Sequence, residues 1–211
     1  SNLIVRGGRA LRGTLTPSAN KNAVLPVLCA TLLTDEPVTL HRVPDITDVQ
    51  KILDFFVNLG SSVDMDYESG TLRVQHGSGL DPKAAHLPLG MRSTLMLIPP
   101  LLHRFGAATI EEDATGCTLG VREIDPHIEV FQAFGAHVNR RPEMLEISTP
   151  KGFHASDHWL DYASVTTTEN FVLCAATAVG HSQLTNAACE PHVQEFCRFL
   201  GANHGMCVSN G

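Results

Sequence analysis

No apolar run in the 211 residues approaches the roughly 18 that a membrane-spanning helix needs, so none is expected. Leu3-Ile4-Val5 is too short for the apolar region of a secretory signal, and the expected location is the cytoplasm. Ser1-Asn2, without an initiator methionine, reads as the remnant of a cleaved tag. Positive charge is scarce: 15 Lys and Arg against 22 Asp and Glu leave a net charge of −7. That balance argues against nonspecific nucleic-acid binding but leaves room for a local cation cluster around a small anion. No Cys-x-x-Cys pair occurs among the six cysteines, which in a chain this long read as reduced thiols. The eleven histidines are dispersed and form no pair on a helix with a third ligand, so neither a metal nor a cofactor is expected. The single tryptophan, Trp159, falls in a stretch with no clear periodicity and carries no functional reading. No linker rich in proline, glycine or serine divides the chain, which points to one domain over 1–211.

What is present suits a globular core, with 43% apolar and 18% charged residues. The richest stretch chemically runs from Thr115 to His127. It holds a thiol (Cys117), two glycines, Arg122, Glu123, Asp125 and His127. Glycines let the backbone approach a ligand closely, and a nearby arginine favours the reactive thiolate. The same residues also suit a turn around a buried cysteine. Asp125-Pro126-His127 then leads into a helix predicted over Ile128 to Phe134, closed by Gly135.

A pattern recurs along the chain. An apolar helix is predicted from Asn22 to Leu33, followed by a strand at Val38 to Leu40 and an amphipathic helix from Val49 to Leu59, stopped by Gly60. A second copy has an apolar helix from Met91 through Leu102, a strand at Ala107 to Ile110 and the helix Ile128 to Phe134. A third runs from Thr167 through an apolar helix to Ala178, a strand at Ser182 to Thr185 and a helix from Val193 to Leu200 before Gly201. Alternating segments suited to hairpins follow the first two, at Val63 to Val74 and His137 to Ile147. The repeats span about 22–75, 91–147 and 164–211, and their first helices are apolar all round, as buried helices are.

Several segments carry a resemblance. Ser18-Ala19-Asn20-Lys21-Asn22-Ala23-Val24-Leu25-Pro26, Val43-Pro44-Asp45-Ile46-Thr47-Asp48-Val49, Met91-Arg92-Ser93 and Pro100 to Gly106 stand in order. Gly116-Cys117-Thr118-Leu119-Gly120-Val121-Arg122, Ser164 to Asn170 and Asn186 to Pro191 follow. Together they resemble the UDP-N-acetylglucosamine enolpyruvyl transferases. The resemblance implies an α/β (α+β) fold, the inverse α/β barrel shared with 5-enolpyruvylshikimate-3-phosphate synthase, built of three β/α units with their helices inside. It implies transfer of the enolpyruvyl group of phosphoenolpyruvate to the 3′-hydroxyl of UDP-N-acetylglucosamine, the first committed step of peptidoglycan synthesis. By position, it implies Cys117 as the acid and Lys21, Arg92 and Arg122 as cations around phosphoenolpyruvate. Asn22, the segment Arg122, Glu123, Ile124, Asp125, Pro126, His127, and Ser164, Val165, Thr166 would bind the sugar nucleotide. Asp45, Asp48 and Glu190 read as helix caps and turn residues.

Three departures accompany the resemblance. The chain has about half the family's length, so a second domain would have to supply a general base and a further phosphate-binding arginine. Thr115 stands where the family has a glycine before Gly116-Cys117. Glu123 and Pro126 replace a proline and a leucine that border the uracil ring in the family. These changes leave two further readings open: a paralogue acting on another nucleotide acceptor, or a noncatalytic relative that binds a sugar nucleotide.

Overall fold

The computed structural model describes residues 3–88, 90–111, 124–142 and 144–204. Residues 3–20 have no regular secondary structure, and Leu3, Ile4, Val5, Leu11 and Leu15 are all exposed. The first helix, α1, spans Lys21–Thr31, with the Asn20 side chain accepting from the Asn22 N–H at 2.9 Å as an N-cap. Leu25, Pro26, Leu28, Cys29, Ala30 and Thr31 are all buried, as its all-round apolar character predicts.

The strand β1 (Val38–Leu40) leads to α2 (Thr47–Leu59), and the hairpin β2 (Ser62–Asp66) and β3 (Thr71–Gln75) follows. Val49, Ile52, Leu53, Phe56 and Leu59 form the inward stripe of α2, and Gly60 closes it at φ 100°, a conformation that side chains with a Cβ resist. The sheet has the order β1-β3-β2 and is antiparallel throughout, with Val74 opposite both Val38 and Val63. Leu72 and Val74 face the core, alternating with the exposed Arg73 and Gln75. His76, which directly follows β3 and is fully buried, ties the end of α1 to Ser61 just beyond α2. Thr31 Oγ1 donates to the Leu28 carbonyl at 2.6 Å, so the hydroxyl oxygen accepts from His76 Nε2 at 2.9 Å. Ser61 then donates to Nδ1 at 2.7 Å.

The second unit repeats this order. A 3-10 turn, Arg92–Leu97, precedes α3 (Ile98–Phe105), where a single α-helix through Leu102 was expected from sequence. Pro99 and Pro100 explain the change: neither has an N–H to continue the earlier ladder, and both suit the first positions of a new helix. Next come β4 (Ala107–Glu111), α4 (Asp125–Ala133), β5 (His137–Arg141) and β6 (Met144–Ser148), the strands ordered β4-β6-β5. Ile110 and Val138 lie on either side of the β6 core residues Leu145 and Ile147.

The third part has β7 (Asp157–Trp159), α5 (Val165–Ala175), β8 (Gln183–Thr185) and α6 (Pro191–His204). Trp159, read from sequence as irregular, is the last residue of β7. It pairs in parallel with Thr185 of β8 and is exposed, so burial periodicity leaves no trace of the strand. The helices α1, α3, α5 and the 3-10 turn pack on one another, and α2, α4 and α6 close around them. Phe56, Phe131 and Phe196, one from each of the outer helices, are fully buried. Phe134, just after α4, meets Phe171 of α5 edge to face at 4.9 Å.

Candidate functional site

Several of the residues singled out by sequence lie at helix starts. Lys21 and Asn22 form the first turn of α1 and are exposed. The Lys21 ammonium is paired with the carboxylate of Asp48 in the first turn of α2. Asp48 is therefore a partner for a cation rather than a cap, because α2 starts after Ile46 with no side-chain cap bond. Asp45, also expected as a cap, accepts from the Gln50 amide at 2.5 Å instead. Glu190 does precede α6, and its carbonyl accepts from Val193 and Gln194.

A second group centres on His127. Arg92 Nη2 lies 3.2 Å from His127 Nε2. Asn170 Nδ2 lies 2.7 Å from Nδ1 while its Oδ1 is buried without a hydrogen-bond partner, and the hydroxyls of Thr166 and Thr167 stand 3.5 Å from Nε2. The contacts join the start of the 3-10 turn, the first turn of α4 and the first turns of α5. Ser164 caps α5 by accepting from the Thr167 N–H at 3.4 Å, and Ser164, Val165 and Thr166 remain half-buried. Ile124 and Pro126 are half-buried at the start of α4, whereas Asp125 is exposed and paired with Arg140. Burial, reinforced by the Arg92 charge, pushes the His127 imidazole down to about 3, so it is neutral at physiological pH. The fixed positive charge of Arg92 and the N-terminal ends of α4 and α5 make this region attractive to an anion.

Cys117, Arg122 and Glu123 lie outside the described residues. Cys29, the thiol in α1, is placed where it cannot serve as a reactive one. It is fully buried in α1, and desolvation raises its thiol far above the ordinary range.

Two features escaped the sequence reading. Asn170 and Thr167 belong to the polar run that opens α5 and are fully buried; a run of polar residues leading into an apolar helix was the available signal. The other is Glu169, 2% exposed, whose carboxyl is pushed up to about 8 by burial and then by the charge of Glu190. A cleft of about 350 Å³ between Leu33, Gly77, Leu80, His103 and Arg104 contains none of the site residues. Arg104 there is held by Asp35 at 2.8 Å and by the Thr34 carbonyl at 2.8 Å, which commits its guanidinium to contacts within the fold.

A family model described as EPSP synthase (3-phosphoshikimate 1-carboxyvinyltransferase) matches residues 5–207. The chain belongs to the EPSP synthase family. Among curated members, the UDP-N-acetylglucosamine 1-carboxyvinyltransferase of Sulfurovum sp. (strain NBC37-1) is 34% identical over 199 residues, 94% of this chain and 46% of that protein. The protein of the same name from Solibacter usitatus (strain Ellin6076) is 35% identical over 198 residues, 93% of this chain and 47% of that protein. The chain thus spans about half the length of the curated relatives it matches. Its fold is that of solved enolpyruvyl transferases. NikO from Streptomyces tendae superposes with a TM-score of 0.74 at 19% identity, covering 92% of this chain and 45% of that one. EPSP synthase from Acinetobacter baumannii superposes with a TM-score of 0.69 at 16% identity, covering 89% and 43%. The expected α/β architecture with inner helices is thereby that of the EPSP synthase family.

Proposed function

We propose that this chain is the cysteine-bearing half of an enzyme that transfers the enolpyruvyl group of phosphoenolpyruvate to the 3′-hydroxyl of UDP-N-acetylglucosamine. The observation that carries this reading is the likeness, along nearly the whole chain, to two proteins of that name. The charge pattern agrees with it: a net acidic chain keeps Lys21 and Arg92 at helix starts, where an anionic substrate gains from both.

In this reaction the acceptor oxygen attacks C2 of phosphoenolpyruvate while an acid protonates the C3 methylene, giving a tetrahedral ketal. Loss of a proton from C3 and of phosphate from C2 then restores the double bond. Cys117 is assigned the C3 protonation, and Lys21, Arg92 and Arg122 the phosphate and carboxylate charges. Arginine suits that task because its planar fork grips such groups with two parallel bonds. Asn22 is assigned to the sugar nucleotide and the tetrahedral intermediate. Arg122, Glu123, Ile124, Asp125, Pro126 and His127, with Ser164, Val165 and Thr166, are assigned to the nucleotide. The base and the remaining phosphate cation are assigned to the other half of such an enzyme. The activity places the protein in the cytoplasm, where both substrates are made.

An alternative acceptor is favoured by Glu123 and Pro126, which set a carboxylate and a ring where an apolar surface would flank uracil. Intact-mass measurement of the full-length protein with fosfomycin, an epoxide analogue of phosphoenolpyruvate, separates the readings. A single adduct on Cys117, formed faster with UDP-N-acetylglucosamine, is the expected result. An adduct indifferent to that nucleotide would transfer the assignment to another acceptor, and no adduct would remove Cys117 as the reactive thiol.

A further inference from the structure

We propose that Asn170 is a positioning residue: it holds the His127 imidazole as its Nδ1–H tautomer, so that Nε2 keeps a lone pair for the Arg92 guanidinium. The proposal rests on the reading above, in which Arg92 faces phosphoenolpyruvate.

The argument starts from what each group can do. A guanidinium only donates, so the 3.2 Å contact of Arg92 Nη2 requires Nε2 to accept. A neutral imidazole has one N–H, which must then sit on Nδ1. Asn170 faces Nδ1 with its amide nitrogen at 2.7 Å, which would set two donors against each other and leave the buried Oδ1 without a partner; turning the amide over about its last bond cures both, because Oδ1 then accepts the Nδ1 proton. In water imidazole prefers the opposite tautomer, so the protein has to enforce this one. Both residues are fully buried, which removes water as a substitute acceptor.

The neighbouring hydroxyls reinforce the assignment. Thr167 Oγ1 lies 3.5 Å from Nε2 but donates to Ser164 Oγ at 2.8 Å, so its proton points away from the ring. Thr168 is turned elsewhere: its hydroxyl donates to the Ser164 carbonyl at 2.8 Å and accepts from the Ala188 N–H at 3.0 Å. Thr166 Oγ1 also stands 3.5 Å from Nε2, so Arg92 Nη2 at 3.2 Å is the nearest donor to the Nε2 lone pair. A flexible side chain fixed in this way before substrate arrives loses less freedom on binding. The neutrality of the ring fits as well, since a protonated imidazole would repel the guanidinium instead of accepting from it.

The test uses the full-length protein with 15N-labelled histidine, in wild type and in Asn170→Asp and Asn170→Leu. Aspartate keeps an acceptor for Nδ1–H; leucine has a similar volume and none. Wild type and Asn170→Asp are expected to show the Nδ1–H pattern for His127, and Asn170→Leu to lose it. With the sugar nucleotide present, Asn170→Leu is expected to raise KM for phosphoenolpyruvate about tenfold with kcat little changed, and Asn170→Asp to stay within about threefold. An Nε2–H tautomer in wild type overturns the proposal even if the leucine variant fails to fold. Equal loss in both variants overturns it as well, because it would reflect packing alone. A wild type that shows Nδ1–H but binds no phosphoenolpyruvate would instead strike at the functional reading.

Discussion

Lys21 and Asp48 form an ion pair that ties the first turn of α1 to the first turn of α2. Their side chains are 53% and 25% exposed, so water screens the pair and its contribution to stability is below about 1 kcal/mol. Its consequence is therefore positional. Asp48→Asn is expected to change the urea midpoint little while weakening phosphoenolpyruvate binding to the full-length protein several-fold. Unchanged affinity would mean that Lys21 is placed by something other than this carboxylate.

Two buried imidazoles make the fold sensitive to acid. His76 and His127 are each pushed down to about 3 from an ordinary 6.5, chiefly by burial, with Arg104 and Arg92 respectively adding to the shift. Between those values the unfolded chain takes up protons that the folded chain refuses. The contribution is thus complete above pH 6.5 and is lost as pH falls toward 3. His76→Gln is expected to flatten the dependence of unfolding free energy on pH by about 1.4 kcal/mol per pH unit between pH 4 and 6. An unaltered slope would show that His76 titrates normally.

Glu169 has the opposite sign. Its folded carboxyl is raised from 4.5 to about 8, by burial first and by Glu190 second, so the folded state keeps a proton that the unfolded state releases. Its contribution is present below pH 4.5 and is lost as pH rises toward 8. Glu169→Gln, which carries no charge, is expected to raise the thermal midpoint at pH 8 and to leave it nearly unchanged at pH 4.5. A gain of equal size at both pH values would assign the effect to hydrogen bonding rather than to charge.

Thiol accessibility separates structural from reactive cysteines. Cys29 and Cys174 are buried and Cys189 is exposed. In native protein, an aromatic disulfide reagent is expected to label Cys189 and to spare Cys29 and Cys174 until denaturant is added, as followed by peptide mapping. Burial raises the thiols of both spared residues, which reduces the thiolate available to react. Labelling of Cys29 as fast as Cys189 would show that α1 opens in the native state.

The sequence by itself determined the elements whose periodicity is strong. The apolar runs of α1 and α5, the stripe and terminal glycine of α2, and the two hairpins follow from local residue order, because burial on one face and a turn at one residue are local constraints. It also indicated which residues carry charge near helix starts. Local order was insufficient where neighbours compete. The break at Pro99-Pro100 split one expected helix in two, and β7 escaped notice because its three residues alternate with no buried stretch. Tertiary structure alone decided that Asp48 meets Lys21, that His127 is held between Arg92 and Asn170, and that Glu169 is buried near Glu190. These contacts join residues far apart in the chain, and their geometry is set by how the helices pack, which no single segment specifies.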